Sequence, residues 1–123
     1  MGYGAFMTVK NELPTPLQLF VEDTQCMYDG GQEGSNLSLF NDVVLQSNQI
    51  LPASGRQYIE AKASGGCFLE PSSFTLNASN IGKVTIVESG NNYYANDNTN
   101  PDSLSININN SGDQAVITVI VHM

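Results

Sequence analysis

The 123-residue chain carries twelve acidic residues against four basic ones, a net charge of −8, and only 13% of its residues are charged. That length fits one domain spanning residues 1–123 and leaves no room for a second, and an apolar content of 41% supports a packed core rather than disorder. The four cations, Lys10, Arg56, Lys62 and Lys83, are too few and too scattered to neutralise a run of phosphates, which excludes nucleic acid as a partner and disfavours adsorption to an anionic membrane.

Residues 1–7 show no cationic region, long apolar stretch or cleavage site. The expectation is a soluble protein without a signal peptide, made in the cytoplasm and then released, or secreted by a non-classical route. No apolar run approaches the roughly 18 residues of a membrane-spanning helix. From there, short runs rich in Val, Ile, Thr, Phe and Tyr alternate with period two. In 5–10, Ala5, Met7 and Val9 share a face; Pro14 and Pro16 then interrupt strand pairing. In 17–22, Leu17, Leu19 and Val21 oppose Gln18 and Glu22. A short run at 25–28 enters the Gly-rich loop 29–35. Segment 37–51 is compatible with a helical turn or with strands.

In 57–63, Gln57, Ile59, Ala61 and Ala63 alternate with Tyr58, Glu60 and Lys62. A strand pair is expected from 67–69 and from Phe74, Leu76 and Ala78, followed by a strand at 83–88. Residues 89–102 read as the longest loop, rich in Asn, with Tyr93 and Tyr94 at its centre. Leu104, Ile106 and Ile108 alternate with polar residues, and 110–113 is a turn. The nearly all-apolar run 115–121 is expected to be a central strand buried on both faces. The sum is an all-β fold: a single β-sandwich of eight or nine short, mostly antiparallel strands with Greek-key or jelly-roll connections.

Catalytic chemistry finds little purchase. His122 is the only histidine, no Gly-x-Ser-x-Gly elbow accompanies it, and no pair of the twelve acids is singled out by spacing. The reading is not an enzyme, with no cofactor and no metal centre. The run 96–102 spaces oxygen ligands like the start of a calcium loop, but the positions that should carry Gly and Glu hold Asp102 and Ile108. Tyr93 and Tyr94 are consecutive, so in extended chain one packs inward and the other stands in solvent. The candidate ligand-binding residues are therefore Tyr93, Tyr94, Asn96, Asp97, Asn98, Asn100 and Asp102. Cys26 and Cys67 could form one disulfide or remain two buried thiols; with no export signal in view, thiols are the expectation.

The opening Thr8-Val9-Lys10-Asn11, then Leu17-Gln18-Leu19, Ile50-Leu51-Pro52, Ile59-Glu60-Ala61, Gly65-Gly66, Ser73-Phe74-Thr75-Leu76, the run 83–88 and Asn100-Pro101 resemble, in order, the aegerolysins and their small bacterial insecticidal relatives. The resemblance covers most of the chain and lies in strand rhythm and turn residues. It implies a compact β-sandwich that binds membrane lipids and, often with a larger protein partner, permeabilises membranes. The chain departs from the Trp-rich fungal members in having no Trp, so no lipid-binding residue carries over. The expectation is a lipid- or membrane-targeting protein, such as a small pore-forming or insecticidal toxin or one component of a toxin pair. Its partners would be a membrane lipid or glycolipid, with a larger protein partner and homo-oligomers also compatible. A carbohydrate-binding lectin and a self-assembling structural protein are the alternatives.

Overall fold

Alternation places apolar side chains on one face of each strand, and two such faces bury each other. In the computed structural model, which describes residues 3–28, 34–63, 65–67 and 70–123, this produces a two-sheet β-sandwich. Eleven strands occur among the described residues: β1 (Tyr3–Asn11), β2 (Leu17–Gln25), β3 (Met27–Tyr28), β4 (Val43–Leu45), β5 (Ile50–Leu51), β6 (Gln57–Ala61), β7 (Ser72–Ala78), β8 (Gly82–Ser89), β9 (Asn92–Asn96), β10 (Leu104–Asn109) and β11 (Ala115–Val121). The first sheet runs β10-β11-β1-β6-β3, with β5 also paired to β1; the second runs β4-β2-β7-β8-β9. Only β5–β6, β7–β8, β8–β9 and β10–β11 stay within one sheet, and every other connection crosses the sandwich.

The core is the two inner faces. Ala5, Met7 and Val9 of β1, Ile59 of β6 and Ile117, Val119 and Val121 of β11 meet Leu17 and Leu19 of β2, Phe74 and Leu76 of β7 and Val84 and Ile86 of β8. Phe40 and Leu37, from a 3₁₀ turn at Leu37–Phe40, and Tyr93 of β9 complete the packing.

Several expectations need correction. Eight or nine strands undercounts because β4 and β5, with three and two residues, are too short to show a period, and because β9 lies in the segment read as loop. The pairing is mostly antiparallel, as expected, with one parallel pair among the described residues: β1 lies beside β11 from Ala5↔Ala115 to Asn11↔Val121. Strand β11 is flanked on both sides, as expected, but it is not buried on both faces. Its Ala115, Ile117, Val119 and Val121 are buried, whereas Val116, Thr118 and Ile120 are half-exposed. Segment 89–102 is not loop throughout. Gly90 (φ 59°) and Asn91 (φ 68°) both adopt the left-handed conformation of a two-residue hairpin turn, and β9 folds back onto β8. Of the expected strand at 67–69, Cys67 ends a 3₁₀ turn, and 68 and 69 lie outside the described residues.

Cys26 and Cys67 are joined in a disulfide with their Cα atoms 5.7 Å apart, so the expectation of free thiols is wrong. The reason is topological. Cys26 sits at the crossing from β2 to β3, its carbonyl accepts the Lys62 N–H, and the chain leaving β6 brings Cys67 to the same corner. A second fastening is the fully buried Asn11. Its Nδ2 donates to the carbonyls of Thr15 (2.9 Å) and Leu45 (3.1 Å), and its Oδ1 accepts the Leu13 N–H (2.9 Å). One amide thereby holds the β1–β2 connection against the end of β4, and its bonds meet the requirement that a buried polar group be satisfied.

Candidate functional site

The residues singled out from sequence divide sharply. Tyr93 is removed from the binding set: its side chain is 1% exposed and faces the core. Burial first, and the Glu88 charge second, push its phenol well above the ordinary tyrosine value, while a hydrogen bond at the Ala61 backbone works the other way. Its neighbour Tyr94 points outward, 47% exposed, beside its cross-strand partner Val87. The alternation expected of two consecutive tyrosines is thus realised in a strand rather than in a loop.

The Asn-rich segment after β9 is held by its own side chains. Asn98 Nδ2 donates to the Leu104 carbonyl (2.9 Å), and Asn98 Oδ1 accepts the Asn100 N–H (3.0 Å). Asn100 Nδ2 reaches the Ile81 carbonyl at 3.0 Å, and Asn96 Oδ1 accepts the Asp97 N–H at 3.0 Å. The loop also docks onto β8, where Thr99 Oγ1 accepts the Lys83 N–H and Thr99 N–H donates to the Lys83 carbonyl. Gly82 makes the close approach possible, because a Cβ there would meet Asn100 Cβ at 2.9 Å. The amides of Asn98 and Asn100 are therefore engaged within the fold. Tyr94, Asn96, Asp97 and Asp102 remain exposed. Among the described residues no group of three or more His, Cys, Asp or Glu could hold a metal ion.

A different surface gathers more chemistry. On the outer side of the first sheet, register places Phe6 between Val116 and Tyr58, Lys10 between Ile120 and Ile50, and Glu60 between Gly4 and Tyr28. The Phe6 and Tyr58 rings meet at 5.6 Å between centroids. The Arg56 guanidinium lies over the Phe6 ring at 4.7 Å, and the Lys62 ammonium over the Tyr28 ring at 5.5 Å. The Tyr58 ring lies directly on Gly4, whose missing side chain leaves room for it, and its hydroxyl donates to Glu60 Oε1 at 2.8 Å. Three of the four cations thus share one face. Lys10 is paired with Glu12 at 3.1 Å, whereas Arg56 and Lys62 form no ion pair among the described residues. Ile50, 40% exposed, extends the apolar part of the patch.

This face escaped the sequence reading, although its signal was present. Phe6 falls opposite Ala5, Met7 and Val9, and Tyr58, Glu60 and Lys62 fall opposite Ile59 and Ala61. Which strands lie side by side is what alternation alone does not reveal.

Two other features carry less. Ser105 Oγ and His122 Nε2 meet at 2.7 Å across β10 and the end of β11, a contact that spacing in sequence did not suggest. The other ring nitrogen, Nδ1, contacts the Met123 carbonyl at 3.1 Å, and no hydrogen bond to a carboxylate orients it among the described residues. A cleft of about 170 Å³ lined by Val21, Thr24, Leu37, Ser38 and Asn41 is smaller than the roughly 300–1,000 Å³ of ordinary small-molecule sites.

Among the described residues, fold and surface together define an all-β sandwich that gathers its cation–ring contacts on an open sheet face. No protein-family model matches the chain, and no curated protein is significantly similar to it. No helix among the described residues is long and apolar enough to cross a membrane.

Proposed function

We propose that this chain is a lipid- or membrane-targeting protein that lies against a bilayer through the outer face of its first sheet, a role suited to a small toxin or to one component of a toxin pair. The observation that carries the reading is the Phe6–Tyr58 pair with Arg56 over Phe6 and Lys62 over Tyr28. Aromatic rings and long basic side chains combine an apolar body with a polar tip, and they collect where hydrocarbon meets headgroups. Ile50, Val116 and Ile120 add aliphatic surface to the same face. An open sheet face suits an extended surface better than an enclosed small ligand.

The lectin reading loses support because the Asn98 and Asn100 amides it would use are already bonded to backbone. Assembly by strand addition loses support because, of the four edge strands, β3 and β4 are short, β9 is covered at Tyr93 by Asn110, and the Asn98 amide takes the Leu104 carbonyl at the start of β10.

The test is co-sedimentation and dye leakage with phosphatidylcholine liposomes, comparing wild type with Phe6→Ala and Ile50→Ser. Removing either apolar contact is expected to weaken partitioning about tenfold, with circular dichroism unchanged. Tyr94→Ala in parallel locates the contact. Full binding by Phe6→Ala and Ile50→Ser, with loss in Tyr94→Ala, would move the membrane face to the second sheet.

A further inference from the structure

The cation–ring geometry of this face discriminates between the two halves of a zwitterionic headgroup. A quaternary or primary ammonium is recognised by open aromatic faces, into which the ligand's cation inserts. Here the protein's own cations occupy that position: Arg56 over Phe6 at 4.7 Å and Lys62 over Tyr28 at 5.5 Å. Both side chains are exposed and neither has a carboxylate partner among the described residues. Of the two carboxylates on this side among the described residues, Glu12 is paired with Lys10, and Glu60 is 4% exposed and bonded to the Tyr58 hydroxyl. Among the described residues, what the face offers outward is N–H donors from Arg56 and Lys62, set in a molecule whose net charge is −8.

Resting on the membrane reading above, we propose that this face binds the phosphodiester of a zwitterionic phospholipid through Arg56 and Lys62 and does not read the headgroup amine. Each cation, held over a ring, directs its remaining donors to phosphate oxygens, the pairing for which guanidinium in particular is shaped. The aliphatic rim at Ile50, Val116 and Ile120 reaches the glycerol level beneath. The surplus negative charge of the rest of the molecule opposes approach to a bilayer rich in anionic lipid, so a phosphate balanced by its own headgroup amine is the favoured partner.

The experiment measures binding of the whole protein to three vesicle types at fixed ionic strength: phosphatidylcholine, an equal mixture of phosphatidylcholine and phosphatidylethanolamine, and digalactosyldiacylglycerol, which forms bilayers without phosphate. Equal binding to the first two and loss of about tenfold on the third are expected, as for removal of a charge-assisted hydrogen bond. Arg56→Gln and Lys62→Gln should each weaken phosphatidylcholine binding severalfold and leave galactolipid binding unchanged, and Arg56→Lys should recover part of the loss. Binding that falls in proportion to choline content would overturn the inference, since the amine would then be read. Equal binding to all three vesicles would also overturn it while leaving the membrane face intact. Binding to none would remove both.

Discussion

Tyr93 and Asn110 are joined twice: the Tyr93 N–H donates to Asn110 Oδ1 at 2.9 Å, and Asn110 Nδ2 donates to the Tyr93 carbonyl at 2.9 Å. The side-chain amide behaves as one residue of a neighbouring strand. It lies just beyond β10, in the first sheet, while Tyr93 belongs to the edge strand of the second. The pair therefore closes the sandwich at one corner and covers part of an edge that would otherwise be open to another chain. Asn110→Ala is expected to lower stability by about 1–3 kcal/mol, because the Tyr93 backbone loses both partners. Urea unfolding measures this, and faster amide exchange at Tyr93 should accompany it.

The buried Tyr93 phenol makes the fold sensitive to alkali. Its folded ionisation is raised above the ordinary value of 10 by burial foremost. The unfolded chain gives up this proton near pH 10 and the folded one does not. The associated stability is therefore complete below pH 10 and is lost as pH rises, at about 1.4 kcal/mol per pH unit while only the unfolded tyrosine is ionised. Denaturant unfolding between pH 9 and 11 should show that slope, and Tyr93→Phe should flatten it.

The Cys26–Cys67 link closes a segment of 41 residues. Ser at both positions is expected to destabilise the domain by about 2–4 kcal/mol, chiefly by freeing the unfolded chain. Thiol titration of the native protein should find no free sulfhydryl until a reductant is added. A shift in thermal midpoint on reduction that matches the double variant would confirm one shared cause.

Gly4 supports the Tyr58 ring, and a methyl group there would collide with that ring. Gly4→Ala should turn Tyr58 away from both Phe6 and Glu60 with the core intact, since Gly4 lies on the outer side of β1, next to the inward-facing Ala5. Loss of liposome binding with a near-native unfolding curve is the expected pair of results. Unchanged binding would show that the position of the Tyr58 ring is irrelevant to the face.

The strands with five or more residues, β9 excepted, were legible because a period of two survives over that length; β9 has a single buried residue, Tyr93, among exposed ones. Leu17, Leu19 and Val21, or Leu104, Ile106 and Ile108, announce their buried side directly. The short strands β4 and β5 were not, since their pairing is set by what lies across from them. The Asn-rich segment misled for a physical reason: amide side chains suit both ligands and backbone, and Asn98 and Asn100 spend theirs on backbone. Tyr93 and Tyr94 were rightly read as pointing apart, but strand pairing was needed to say which one packs. The disulfide and the cation-bearing face both join segments distant in sequence, so no local pattern encodes them.

The parallel pairing of β1 with β11 has a consequence for synthesis. The hairpins β7–β8–β9 need only neighbouring residues, so they can form while the chain is still emerging. Strand β1 instead waits until residues 115–121 exist before one of its edges is covered. The second sheet can thus be well advanced while the first still gapes, and an arrest in translation upstream of residue 115 would leave a sticky, half-built face for chaperones to hold.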